Sequence, residues 1–252
     1  MKNVIKLLAL SLAMIFVLAC FPACGSGDKY IIATDTTFAP FEFVDENGEY
    51  IGIDIELFTA IAEDQNIEFE FHHLGFNAAL TALESGAADG VIAGMSINEK
   101  RKETYTFSDP YYESGVVMAI AADNNDVKGY SDLKDKVVAV KNNTEGQTFA
   151  NSIKDTYGFE VEVYKDSNTM YLAVKNGNAV ACFEDYPVMG YGISKGNGLK
   201  MVTDKELPSN YGFAVLKGAG NDELVEKFNA GLKNLKENGK YQEILDKYIK
   251  TN

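Results

Sequence analysis

Arg101 is the only arginine among the 23 basic residues of this chain. Lysine serves everywhere else, so a guanidinium kept inside "EKRKE" needs a reason. Its planar fork makes two parallel charge-assisted bonds to a carboxylate, which a lysine ammonium cannot reproduce. The run also reads as a solvated helical face, and the lysine bias elsewhere tilts the choice toward binding. Asp185 in "ACFEDYP" is the complementary group. Its carboxylate suits an ammonium, or caps the helix that Pro187 opens, or does both. Asp35 and Phe38 in "ATDTTFAPFEF", Phe76, Ser96 after "VIAG", Lys141 and Thr144 in "VVAVKNNT", and Glu184 also stand at element ends. Such a set can hold a zwitterion: a fork for one end, a carboxylate for the other, two rings for an aliphatic stem.

The residues for bond-breaking chemistry are not arranged here. No Ser/His or Cys/His pairing and no zinc-ligand spacing is legible, so no metal and no cofactor is implied. His72 and His73 are adjacent in "IEFEFHH"; in a strand they point to opposite faces and cannot chelate one ion together.

The elements that must position these groups alternate. "YIIAT" is a buried strand. "DIELFTAIAEDQN" is a helix with Asp54 as N-cap and Ile55, Phe58 and Ala62 on one face. "IEFEFHH" alternates as a strand. "FNAALTALESG" is a short helix with Leu80 and Leu83 inward and Gly86 as its stop. "ADGVIAG" is another apolar strand. The series then repeats in "KVVAVKNNTEGQTF", "FEVEVY" and "TMYLAVKNGNAVACFED". This is the signature of a parallel α/β sheet, present twice. The tail is helical, with Leu224, Phe228, Leu232 and Leu235 sharing a face. "YYESGVVMAI" leads out of the first lobe and "LPSNYGFAVL" leads back, so two extended crossings form a hinge. Ligands of open α/β sheets sit beyond the carboxyl ends of strands, which here line a cleft between lobes.

At 252 residues the chain is long enough for two small α/β lobes, and its net charge of -14 excludes a nucleic-acid partner on electrostatic grounds. The N-terminus differs from the rest. "VIKLLALSLAMIFVLAC" has the length of a signal h-region rather than a membrane span. It resembles a bacterial lipoprotein signal, with Cys24 as the lipidated residue and Cys20 as the alternative. That leaves Cys182 alone in the folded body, in the apolar run "AVACF", with no intrachain disulfide partner.

"YIIATDTTFAPFEF", "GIDIELFTAIA", "VIAGMSINEKRKETYTFSDPYYESG", "KVVAVKNNT", "AVACFEDYPV" and "NGKYQEILDKY" resemble, in order, the polar amino-acid-binding proteins of bacterial ABC importers, glutamine-binding proteins above all. The resemblance implies an α/β, periplasmic-binding-protein-like, two-lobed (Venus flytrap) fold of type II. Residues 1–23 would be the signal peptide and 24–28 a tether. Residues 29–112 and 212–252 would form lobe 1, 116–207 lobe 2, and 112–116 and 207–212 the hinge strands.

By the same resemblance, Arg101 holds a ligand α-carboxylate, helped by the Ser96 hydroxyl and the backbone around Ala93, Gly94 and Thr144. Asp185 holds the α-ammonium, Phe38 and Phe76 sandwich the stem, and Asp35 and Lys141 address the side-chain end. Asp35 and Lys141 together match a carboxamide, offering an acceptor to its NH2 and a donor to its C=O; the alternative is that they pair with each other and ignore the ligand. The expected protein is a monomeric, lipid-anchored, extracytoplasmic binder of glutamine that delivers it to the transmembrane subunits of an ABC permease. The alternatives are a cationic or acidic amino-acid binder, or a same-fold enzyme such as a cyclohexadienyl dehydratase with Glu184 or Asp185 as its acid. Two departures from the family pattern stand out: Asn98 opens "NEKR", and Glu184 replaces a histidine.

Overall fold

The computed structural model describes residues 29–249. The signal segment, the tether and both candidate lipidation sites, Cys20 and Cys24, lie outside the described residues. No helix among the described residues is long and apolar enough to cross a membrane.

The first half contributes strands β1 (Tyr30–Thr34), β2 (Thr37–Phe38), β3 (Glu42–Val44), β4 (Tyr50–Ile51), β5 (Phe69–His73), β6 (Gly90–Val91) and β7 (Tyr105–Phe107), with helices α1 (Ile53–Gln65), α2 (Phe76–Glu84) and α3 (Glu99–Thr104). The second contributes β8 (Tyr112–Ala121), β9 (Val137–Lys141), β10 (Glu160–Tyr164), β11 (Ala181–Asp185), β12 (Leu199–Met201) and β13 (Glu206–Tyr211), with helices α4 (Glu145–Tyr157), α5 (Ser167–Lys175) and α6 (Tyr186–Ser194). The chain then closes with β14 (Ala214–Leu216), α7 (Asp222–Glu237) and α8 (Lys240–Tyr248).

Two sheets result. One runs β5-β1-β6-β14-β7; the other runs β10-β9-β11-β8-β12, with β13 paired to β8. Each is parallel only in part. β5, β1 and β6 are parallel, as are β10, β9 and β11. β14 is antiparallel to both of its neighbours, β6 and β7, and β8 is antiparallel to β11, β12 and β13. The expectation of parallel sheets is corrected to that extent. Strands that carry the chain between lobes arrive from the far side and enter without a helical crossover, so they pair antiparallel. The crossings lie side by side, with Tyr112 opposite Tyr211 and Ser114 opposite Ser209.

Helix α1 differs in detail from expectation. It starts at Ile53 after Gly52, and Asp54 lies inside the first turn with its side chain buried rather than capping. Its inward face is Ile53, Leu57, Phe58, Ile61 and Ala62; Ile55 is only half-buried. The other helical starts follow the usual chemistry: Asn98, Thr144 and Asp166 accept from the backbone amide three residues on. Each lobe buries its own core. In the first, Phe213 and Phe228 stack at 5.0 Å beneath Phe58; in the second, Val138, Val140 and Phe183 pack between α4 and the sheet. Full burial of one such side chain is worth about 1.5–3 kcal/mol, so each lobe fixes its strand ends firmly before the cleft is considered.

Candidate functional site

The carboxyl ends of β1, β6, β9 and β11 meet around a small cavity between the lobes. Phe38, Phe76, Ala93, Gly94, Ser96 and Arg101 line it from one lobe; Lys141, Thr144, Glu145 and Asp185 line it from the other. Nine of the ten ligand-binding residues expected from the sequence are thereby brought together. Asp35 lies behind Lys141 instead, and Glu145 takes a place no expectation gave it.

Arg101 turns inward from its exposed helix, with 12% of its side chain accessible. Nη1 donates to the Ser96 carbonyl at 2.8 Å and Nη2 to the Asn143 carbonyl at 2.7 Å. Its nearest carboxylate, Glu145, stands at 3.8 Å. Burial pulls the guanidinium pKa down, and Glu145 and Asp185 pull it back up. Arg101 also lies over the Phe76 ring at 5.5 Å.

Lys141 is handled differently. It is 2% exposed and pairs directly with Asp35, itself 1% exposed. Asp35 belongs to the first lobe and Lys141 to the second, so this ion pair spans the cleft. Burial lowers the Lys141 pKa, but Asp35 and Glu184 outweigh it and the net direction is upward. The ammonium faces both rings, at 4.7 Å from Phe38 and 5.7 Å from Phe76.

Asp185 ends β11. Its Oδ2 accepts from Tyr211 Oη at 2.5 Å and Ser114 Oγ at 3.1 Å, both on the crossing strands. It makes no cap bond to α6 although it occupies the cap position. Burial, then the Glu184 charge, raises its pKa to about 7. Glu184 itself faces into the second lobe, where Ser167 and Tyr171 donate to Oε2 at 2.9 and 2.8 Å.

Gly94 explains its own residue type. Its φ is +52°, and a Cβ there would lie 2.4 Å from the Phe38 ring. Its amide donates to Asp54 Oδ2 at 2.7 Å. The Ser96 hydroxyl meets Ser209 Oγ at 3.3 Å. Thr144 caps α4, accepting from Gln147 N and donating to the Lys141 carbonyl.

Glu145 was missed because an acid at the first helical position needs no ligand to explain it: it suits the helix dipole. Asn98, by contrast, was visible as a departure. It caps α3 and also donates through Nδ2 to Glu145 Oε1 at 2.5 Å. Asn77 takes hydrogen bonds from Asn142 and Asn143 across the cleft. These cross-cleft bonds define a closed molecule. His72 meets Glu70, and His73 stacks on Tyr50 at 3.6 Å, both away from the cavity lining.

Two α/β lobes joined by paired crossings, with a charged cavity shut between them, define a clamshell binding protein. The chain belongs to the bacterial extracellular solute-binding proteins, family 3, whose pattern matches residues 30–251. It is 34% identical to the arginine-binding periplasmic protein of Mannheimia haemolytica, over 87% of this chain and 90% of that one. It is 38% identical to substrate-binding domain 2 of Lactococcus lactis GlnP in its open conformation, over 90% and 97% of the chains, with a TM-score of 0.61. An ancestral arginine-binding protein, solved bound to arginine and bound to glutamine, is 34% identical over 88% and 98%, with a TM-score of 0.81 in each case. The more similar sequence gives the poorer superposition, and its structure is an open one. The chain is thus a substrate-binding protein of an amino-acid ABC transporter, and its relatives are transport-binding proteins, not enzymes.

Proposed function

We propose that the protein binds glutamine between its lobes and hands it to the transmembrane subunits of an ABC permease. The observation that carries this is the state of the cation at the far end of the cavity. Lys141 lines the cavity but is already neutralised by Asp35. A cationic side chain would meet the ammonium directly and find its carboxylate taken; an anionic one would draw Lys141 away and strand Asp35. A carboxamide oxygen can accept from Lys141 without disturbing either charge. Arg101 receives the α-carboxylate, Asp185 the α-ammonium, and Phe38 and Phe76 flank the stem.

Three or four hydrogen bonds to charged groups, each worth about 1.5–3 kcal/mol, leave room for roughly micromolar or tighter binding after ordering costs. Calorimetry against the twenty amino acids tests the reading. Glutamine is expected to bind tightest, and tighter binding of arginine, histidine or glutamate overturns it.

The protein is further read as a monomeric lipoprotein held at the outer face of the cell membrane through Cys24. The basic start, the apolar run and the small residues before each cysteine support that. Mass spectrometry of the N-terminal peptide decides between Cys24, Cys20 and no lipid.

A further inference from the structure

Beneath the cavity floor lie two acidic side chains that the binding scheme does not use. Glu42 opens β3 and is 1% exposed; Asp54 is fully buried in the first turn of α1. Neither oxygen of Glu42 has a hydrogen-bond donor, nor does Asp54 Oδ1. The Asp54 amide donates to the carbonyl of Phe41, the residue before Glu42, at 2.9 Å, which brings the two acids together. Asp54 Oδ2 is well served: the Gly94 amide donates to it at 2.7 Å and Tyr111 Oη at 2.8 Å.

Two carboxylates this close and this dry cannot both ionise, because their repulsion adds to the cost of desolvation. One proton between them supplies the missing donor. Two donors already favour the ionised form of Asp54, whereas Glu42 has none, so the proton belongs to Glu42. We propose that Glu42 is a protonated positioning residue, which donates its carboxyl hydrogen to Asp54 and so holds Asp54 against Gly94 at the cavity wall.

The groups facing the pair are accounted for. Asp54 comes from α1, Asp35 from the turn after β1, Lys141 from β9 and Tyr111 from the segment before β8. Lys141 is committed to Asp35, which adds a further negative charge on this side. Burial first, then Asp54 and Asp35, push the Glu42 pKa well up; burial raises Asp54 to about 6. Both groups bind a proton more tightly in the folded than in the unfolded chain. Their support for the fold is therefore full below the unfolded values near 4 and is lost as pH rises through the raised ones.

Infrared spectroscopy of the whole protein at pH 7 tests the proton directly. Asp185 is also partly protonated at pH 7, so the reading is made in Asp185→Asn: a protonated-carboxyl carbonyl band is expected there and is diminished when Glu42→Gln is added. This arm does not depend on the ligand being glutamine; only the binding arm rests on that reading. In calorimetry with glutamine, Glu42→Gln keeps a donor to Asp54 and stays within about threefold of wild type, while Glu42→Leu, which orphans Asp54, loses about tenfold or more. Thermal melts establish that each variant is folded, and should Glu42→Leu fail to fold, the infrared result on Glu42→Gln decides. The proposal is overturned if Asp185→Asn lacks the band, if the band is undiminished when Glu42→Gln is added to it, or if folded Glu42→Leu binds like wild type.

Discussion

Two cations face the same cavity, and the protein treats them oppositely. Arg101 is held by neutral carbonyl oxygens, with its nearest carboxylate at 3.8 Å. Lys141 is in direct contact with Asp35. The first keeps much of its charge for an incoming anion; the second presents a nearly neutral dipole. A cavity built this way recognises a zwitterion at one end and an uncharged polar group at the other. The cation's type follows from the job. A carboxylate in a dry site wants two parallel donors, and a pair that crosses a moving cleft wants a compact charge on a flexible stem.

The comparison breaks most severely if Lys141 is removed. Lys141→Met leaves Asp35 buried and alone, a defect of about 3–5 kcal/mol. The lobes can relieve it by opening, so the ligand-free variant is expected to show a larger radius of gyration by small-angle scattering and at least a hundredfold weaker glutamine binding. An unchanged radius would mean the pair does not hold the cleft shut. Arg101→Lys keeps the charge and loses the fork; the loss of about one charge-assisted bond, roughly 1.5–3 kcal/mol, lowers affinity ten- to a hundredfold. Calorimetry that finds no change would place the α-carboxylate elsewhere.

Asp185 sharpens the contrast from the anionic side. Its pKa of about 7 in the closed cavity exceeds the solvated value near 4. Protonation therefore favours the closed, ligand-free form, whose advantage is full below about pH 4 and is lost as pH rises through about 7, at most about 1.4 kcal/mol per pH unit. Interlobe energy transfer between attached dyes should report more closed molecules at pH 5 than at pH 8 without ligand. Asp185→Asn should flatten that profile, and a profile that persists in the variant would point to other groups. The smallest effect is expected from Glu145→Gln. It keeps an acceptor for Asn98 but removes the charge that competes for Arg101, so glutamine should bind tighter by about 1 kcal/mol or less, consistent with a partly exposed pair.

Most of this site could be read in advance because polar residues at the ends of apolar strands have few other reasons to be there. Phe38, Ser96, Lys141 and Asp185 all follow runs that must be buried. What resisted reading was who pairs with whom. Asp35 and Lys141 are 106 positions apart, and whether their charges meet directly or through a ligand depends on the closure of two lobes. Asp54 looked like a helix cap because a cap and a buried acid share one local pattern. Only the approach of Gly94 and Tyr111 from other elements distinguishes them. Glu145 was silent for the same reason.

The sequence by itself determined the two α/β lobes, the double crossing and the residue types at the strand ends, since hydrophobic periodicity and turn chemistry are local properties. It also singled out Arg101 by contrast with a lysine-rich chain. Only the tertiary structure decided that Asp35 neutralises Lys141, that Asn98 and Glu145 meet across the cleft, and that Glu42 and Asp54 are buried with oxygens that lack a donor. Charge pairing and protonation depend on distance and dehydration, and both come into being only when distant segments are packed together.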